Sequence, residues 1–288
     1  MRKITVFTPT YNRSHTLPAL YDSLCQQTEK NFVWLIVDDG SNDNTREICE
    51  SWIAENRIEI RYEWQENGGK MRAHNRGVLL TETELFVCVD SDDTLMPDSI
   101  RLILNTWQET DDMSCAGIIA YRTEDCKKPI GTEFIVKPKT TVWEQYHLGF
   151  RGDTTLIYRT SVLKTFLFPE IEGEKFITEA YIYNQIDQKY WMKLLPVLCI
   201  VSKYLPDGYT KQASKLYLSN PLGWALYHGQ CSKYEKTLIP KIKNMANYIA
   251  FAQIGKQKRI LRNSGNPLLC LFCYPLAFYL RLTREKFK

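Results

Sequence analysis

The segment Leu85-Phe86-Val87-Cys88-Val89 carries no polar side chain, and the next four positions, Asp90-Ser91-Asp92-Asp93, hold three carboxylates. A strand with one wet face alternates apolar and polar residues, whereas an unbroken apolar run belongs to a strand covered on both faces, as in a parallel sheet flanked by helices. A chain containing such a strand must also supply the crossover helices and neighbouring strands that cover it.

The first half of the chain does so. Apolar, β-branched runs at 4–8, 32–37 and 58–64 alternate with segments of helical period. After the first run, Leu17, Leu20 and Leu24 fall on one helical stripe. After the second, Ser41, Asn42, Asp43 and Asn44 are N-cap types that open a helix with Ile48 and Trp52 four apart. Asn67-Gly68-Gly69 is a tight turn, a third helix starts near Met71, and Pro97-Asp98 opens a helix bearing Ile100, Ile103, Leu104 and Trp107. Beyond it the pattern weakens: 117–121 and 154–158 read as strands among irregular loops, and from Leu216 the chain reads as mostly helical. The expected fold class is α/β, a mixed and mostly parallel sheet flanked by helices with a helical C-terminal extension. There is no internal repeat and no low-complexity linker.

At 288 residues, 44% hydrophobic and 24% charged, the chain has the composition of a folded globular protein rather than a disordered one. Its net charge of +4 is too mild to imply a nucleic-acid partner. Lys and Arg concentrate in the last third, at Lys256, Lys258, Arg259, Arg262, Arg281, Arg284, Lys286 and Lys288, which points to an anionic membrane surface. These residues flank an apolar stretch from Pro267 to Leu280, too short to span a bilayer and interrupted by Pro275. Two readings of it stay open: an interfacial anchor at the inner membrane face, or a helix packed on the body or on a second subunit. Nine cysteines scattered through expected strands and helices suit a reducing cytoplasm, and Cys270 and Cys273, although spaced CxxC, lack a second metal-ligating pair and read as buried. Met1-Arg2-Lys3-Ile4-Thr5-Val6 has no long apolar core after its charges and reads as the first strand, not a secretory signal.

Open α/β sheets bind ligands at the carboxyl ends of their strands. Here those ends carry Thr8 to Arg13, Asp38-Asp39, Asn67-Gly68-Gly69-Lys70 and the acidic run. Three carboxylates in four positions repel one another unless a cation or proton sits among them, and oxygen-only ligands favour Mg²⁺ or Mn²⁺. The alternative is a solvated turn that caps the next helix. Gly68-Gly69 lets a ligand approach the backbone, and Lys70, Arg72, His74 and Arg76 put positive charge suited to a diphosphate nearby, unless they form only a solvated helix face. Neither a P-loop nor a Gly-x-Gly-x-x-Gly fingerprint occurs.

Together, Thr8-Pro9-Thr10-Tyr11-Asn12-Arg13, Val37-Asp38-Asp39-Gly40-Ser41-x-Asp43-x-Thr45, Asn67-Gly68-Gly69 and Asp90-Ser91-Asp92-Asp93 resemble the successive motifs of family 2 inverting glycosyltransferases with the GT-A fold, over roughly residues 1 to 210. The resemblance implies a catalytic domain at 1–215, binding nucleotide sugar through 1–110 and acceptor through 111–215, and a helical extension at 216–288. It implies that Pro9, Tyr11, Arg13 and the pair Asp38-Asp39 hold the nucleoside, and that Gly69 and Lys70 meet the donor. The acidic run resembles the DxD motif, which binds ribose and the diphosphate-bound metal, with Asp92 as chief metal ligand and Asp90 and Asp93 supporting it. One motif departs from the family: Ala73-His74-Asn75-Arg76-Gly77 has His74 where many relatives have Arg, so that either His74 or Lys70 takes over the diphosphate contact.

An inverting transfer needs a base for the acceptor hydroxyl. The family places it in a carboxylate pair at a helix start, which matches Glu179-Ala180 here, with Glu174 as the second candidate; a helix N-terminal carboxylate is the alternative. Asp153 is a donor-sugar or acceptor contact or a turn residue. The implied partners are a UDP-sugar and a glycan or lipid-linked saccharide of a bacterial surface polysaccharide, handled by an enzyme that is cytoplasmic or peripheral at the membrane, monomeric or homo-oligomeric. The rival readings are a sugar nucleotidyltransferase, which ordinarily opens with a Gly-rich basic loop absent here, and a non-catalytic nucleotide-sugar-binding or scaffold member of the fold.

Overall fold

The apolar run before the acidic residues forms a strand in the middle of an eight-stranded sheet, as its lack of alternation requires. The computed structural model describes residues 3–203 and 213–285. The chain divides into two compact units, Met1–Leu167 with Gln185–Leu205, and Phe168–Asn184 with Pro206–Lys288. The first unit runs β1 (Ile4–Thr10), α1 (Leu17–Cys25), β2 (Phe32–Asp38), α2 (Thr45–Glu55), β3 (Ile60–Trp64), α3 (Lys70–Leu80), β4 (Leu85–Cys88), β5 (Thr94–Leu95), α4 (Ser99–Gln108), β6 (Cys115–Thr123), α5 (Val142–Leu148), β7 (Thr154–Arg159) and α6 (Thr160–Leu163). The helix α7 (Ala180–Ile186) crosses between the units, and β8 (Trp191–Val201) completes the sheet in the order β3-β2-β1-β4-β7-β6-β8-β5.

The strands β3, β2, β1 and β4 are mutually parallel, while β7 is antiparallel to both β4 and β6. Farther out, β8 runs parallel to β6 and antiparallel to the two-residue β5. All seven residues of β1 and of β2 are buried, so each is covered on both faces. On one face Ile4, Val6, Trp34 and Val87 pack with Leu17, Leu20, Trp52 and Ile100 from α1, α2 and α4. The rings of Tyr21, Trp34 and Trp52 stack there, Tyr21 on Trp52 at 4.4 Å, and the Tyr21 hydroxyl donates to Glu55 at 2.8 Å. On the other face Phe7 and Phe86 stack at 5.2 Å beneath α3. The expected strand ends hold to within two residues, and the pairing of β5 with β8 is an addition.

The second unit contains α8 (Ala213–Ser219), α9 (Pro221–Tyr234), α10 (Leu238–Ile254), α11 (Ile260–Asn263) and α12 (Pro267–Glu285). Its core joins Ala225 of α9, Met245 to Ala252 of α10, and Cys270, Cys273 and Ala277 of α12. The cysteines of the CxxC spacing are thus buried packing residues, and all nine cysteines are free thiols. Contrary to the expected interruption, α12 continues through Pro275, which is exposed, while Cys273 and Ala277 on either side of it are buried in the core of the second unit. Lys286 and Lys288 lie outside the described residues. Among the described residues no helix is long and apolar enough to cross a membrane.

Gly77 explains one motif position. A Cβ there would lie 2.3 Å from the Phe7 ring, so α3 sits against β1 at a distance that only glycine permits. Gly77→Ala is expected to cost about 1–3 kcal/mol by overpacking. In urea unfolding the midpoint should fall with the slope unchanged; an unmoved midpoint would show that α3 shifts freely away from the sheet.

Candidate functional site

The loops after β1 and β2 are sewn into one wall. The Asp39 amide donates to the Thr10 carbonyl at 2.8 Å, continuing the ladder past β2. Asn12, in the left-handed region at φ 52°, donates its amide to Ser41 Oγ and accepts from the Asn42 amide, both at 2.8 Å. Asp43 accepts from the Ser14 amide at 3.0 Å and from the Thr45 hydroxyl at 2.6 Å. Burial would raise its carboxyl, but these hydrogen bonds prevail and hold it below the usual range. Pro9 is buried in this wall, Arg13 is half-buried, and the Tyr11 ring is exposed. Asp38 is buried and accepts from the Ser41 amide at 2.8 Å and from the Tyr62 hydroxyl at 2.6 Å.

Asp39 has the densest set of partners. Its Oδ1 accepts from Gln65 Nε2 at 2.7 Å and the Gly68 amide at 2.8 Å, and its Oδ2 from the Gly69 amide at 2.7 Å and Asn67 Nδ2 at 3.2 Å. One buried carboxylate thus holds the whole glycine turn. Gly69, at φ 94°, then bends the chain into α3 in a conformation unfavourable to other residues.

The turn sets the first residue of α3 over the acidic run, where Lys70 Nζ meets Asp90 Oδ1 at 2.7 Å. Burial pushes the Asp90 carboxyl up, but the charges of Lys70 and Arg122 outweigh it and hold it below its ordinary value. Asp93 is almost fully buried and pairs with Arg122 Nη1 at 2.7 Å; burial, opposed by Arg122 and reinforced by Asp90 and Asp92, still lifts it to about 7. Asp92 is half-buried and forms no salt bridge among the described residues, and burial followed by the neighbouring Asp90 raises it.

Arg122 also donates to the Thr154 carbonyl at 3.1 Å and to Ser202 Oγ at 3.2 Å. Sequence reasoning passed over it. The available signal was a charged residue ending an otherwise apolar strand, Gly117-Ile118-Ile119-Ala120-Tyr121-Arg122. Asp153, exposed, adjoins Thr154 and therefore this anchor.

The remaining candidates are placed differently. His74 is 3% exposed and lies edge-on to Phe7 and Phe86, on the sheet side of α3. Arg72 donates to the Gly68 carbonyl at 2.7 Å and Arg76 pairs with Glu63 at 3.0 Å, so both serve the turn and the helix flank. In the second unit, Glu174 accepts from the amides of Leu222 and Gly223 at 2.7 and 2.8 Å, capping the start of α9. Glu179 is half-buried directly before α7, its carbonyl accepting from the Ile182 amide at 3.2 Å.

Asp39 yields a discriminating prediction. Asp39→Ala strands two backbone amides, and Asp39→Asn turns an acceptor into a donor facing one of them. Both should lower the unfolding free energy of the nucleotide-free protein by at least about 2 kcal/mol. Thermal unfolding checks this; an Asn variant as stable as the parent would mean that the carboxylate serves only a ligand.

Residues 5–167 match the profile described as "Glycosyl transferase family 2", and the matched stretch contains all four strand-end loops of the site. Glycosyltransferase GlyG of Streptococcus pneumoniae is 27% identical over 199 residues, covering 63% of this chain and 64% of GlyG. The chain thus spans slightly under two thirds of that relative's length. The crystal structure of S. aureus TarS 1–349 in complex with UDP-GlcNAc superposes with a TM-score of 0.64 at 19% identity, over 89% of this chain and 73% of that one. Mannosyltransferase PcManGT from Pyrobaculum calidifontis, in complex with GDP-Man and Mn²⁺, superposes with a TM-score of 0.57 at 15% identity, over 100% of this chain and 83% of that one. Identities this low establish a shared GT-A fold, and the profile match over more than half of the 288 residues establishes kinship: the chain belongs to glycosyl transferase family 2.

Proposed function

We propose that this protein is a metal-dependent, inverting glycosyltransferase that moves a hexosyl or N-acetylhexosaminyl group from a UDP-sugar to a hydroxyl of a glycan or lipid-linked saccharide of a surface polysaccharide. The observation that carries this reading is the charge balance of the acidic run. Lys70 engages Asp90 and Arg122 engages Asp93, which leaves Asp92 as the carboxylate with charge to offer a ligand. No group of three His, Cys, Asp or Glu arranged to hold a metal occurs among the described residues. The Asp92 carboxylate suits an ion that takes few protein ligands and completes its shell with diphosphate oxygens, the habit of Mg²⁺ and Mn²⁺ with nucleotide substrates. The Mn²⁺ and GDP-Man of the PcManGT complex and the UDP-GlcNAc of the TarS complex support the same reading.

When bound, the ion supplies positive charge that stabilises the departing diphosphate. The chain's own groups do the rest. Tyr11 and Arg13 line the nucleoside side, while Asp38 and Asp39 act through the hydroxyl, amide and turn groups they hold. Lys70 and the Gly69 backbone stand at the diphosphate, with Lys70 taking the contact left by the inward-turned His74. Asp93 supports Asp92 by fixing the end of the run to Arg122. Glu179 is the base that removes the acceptor proton as the hydroxyl attacks the anomeric carbon. Glu174 is the weaker candidate because both of its oxygens already accept from backbone amides. Asp153 contacts the donor sugar or the acceptor.

Three measurements test the proposal. Asp92→Ala should abolish Mn²⁺-dependent UDP binding in calorimetry, and an unchanged affinity would remove Asp92 from the metal site. Glu179→Gln should leave donor affinity intact while lowering transfer by about 10²–10⁴-fold; near-normal turnover would place the base elsewhere. A panel of nucleotide sugars with Mn²⁺, read out as released nucleotide, should single out one donor. If none is bound or hydrolysed the transferase reading falls, and release of pyrophosphate from a sugar phosphate and UTP would favour a nucleotidyltransferase instead.

A further inference from the structure

The outward face of α12 is made of large apolar side chains, while its small ones face the protein. Cys270, Cys273 and Ala277, on one helical stripe, are buried against α10. The opposite stripe carries Leu268, Leu271, Phe272, Phe278, Tyr279 and Leu282, with Leu268 81% and Phe272 72% exposed. An ordinary surface helix does the reverse, burying its largest apolar residues and wetting its polar ones. No charged residue occurs from Pro267 to Leu280, so the face is continuous over four helical turns, about 20 Å at 1.5 Å per residue. A contiguous apolar surface of this size marks an interaction site.

The surrounding charge selects the partner. From Lys236 to Arg284 the chain has nine Lys and Arg and no Asp or Glu, so of the net charge of +4 this stretch contributes +9 and the remainder −5. Lys256, Lys258, Arg259 and Arg262 are exposed in the segment leading directly into α12. A second copy would bring the same positive charge against itself. A bilayer containing anionic lipid offers both an apolar layer for the face and negative headgroups for its basic surroundings. Because no described helix can cross a membrane, the fitting geometry is a helix lying in the plane of the interface.

We propose that α12 docks the protein flat on an anionic lipid bilayer, with Phe272, Phe278 and Tyr279 among the acyl chains and the basic residues at 256–262 on the headgroups. This inference rests on the apolar face of α12 and the basic residues around it and stands whether or not the transferase reading does.

The test is sedimentation of the full chain with vesicles of phosphatidylcholine alone or mixed with phosphatidylglycerol at about 7:3. The protein should bind the mixed vesicles at least about tenfold more tightly than the neutral ones, with binding weakened by salt. Phe272→Glu with Phe278→Glu should reduce binding at least about tenfold, and so should Lys256→Gln, Lys258→Gln, Arg259→Gln and Arg262→Gln combined. Hydrogen exchange on the unaltered chain guards against misfolding of these variants, because mixed vesicles should add protection to 267–285. The proposal is overturned if vesicles add no protection there, if the double glutamate variant binds like the parent, or if light scattering shows a dimer that this variant dissociates while vesicle binding is absent.

Discussion

Most of the site depends on where the Asp39 carboxylate spends its hydrogen-bonding capacity. It closes β2 against the Asn67-Gly68-Gly69 turn by accepting from two backbone amides and two side-chain amides. A charged acceptor shared among several donors makes stronger bonds than neutral partners would, and its burial makes each donor costly to abandon. The turn sets the φ of Gly69, Gly69 sets the start of α3, and that start carries Lys70 to Asp90. The N-terminal end of α3 brings its own partial positive charge to the same place. One anion after the second strand therefore determines where positive charge stands over the acidic run after the fourth.

Within that run the three carboxylates meet different environments, although they differ little in sequence. Asp90 is held below its ordinary value by two cations despite burial, and Asp93 rises to about 7 because burial exceeds what Arg122 returns. A buried pair such as Asp93 with Arg122 adds little net stability over an apolar replacement, but losing one partner is expensive, so the arrangement enforces geometry. Asp92, by contrast, forms no salt bridge among the described residues.

The apolar runs made β1 to β4 legible, because a strand covered on both faces leaves an unmistakable pattern and its end shows as a change to polar residues. The site residues are legible to the same depth: Asp39, Lys70 and the acidic run stand out as polar strand ends, while the bonds that tie Asp39 to Gln65, Gly68 and Gly69 span 26 to 30 residues and leave no local trace. His74 lies near Lys70, Arg72 and Arg76 in sequence, yet it shares the buried stripe of α3 with Met71 and Val78 at helical spacing. The two-residue β5 is too short to show a period, and Arg122 could be noticed but not assigned a partner 29 residues away.

Arg122 lies at an irregularity in the outer sheet. Along β6 the partners on β8 advance one by one from Gly117 with Met192 to Ala120 with Leu195, then jump to Tyr121 with Leu198 and Arg122 with Ile200. The jump at Tyr121 skips Pro196 and Val197, of which Pro196 has no N–H to give the ladder, and unpaired residues of this kind bend a strand and re-aim its side chains. At the bend Arg122 turns to the Thr154 carbonyl, Ser202 and Asp93 together. The cation that pairs with Asp93 thus stands where the β6–β8 register is irregular, opposite the stretch of β8 that contains Pro196. The regular parallel half of the sheet supplies Lys70 to Asp90, and the irregular half supplies Arg122 to Asp93, so the acidic run is held from both sides of the sheet.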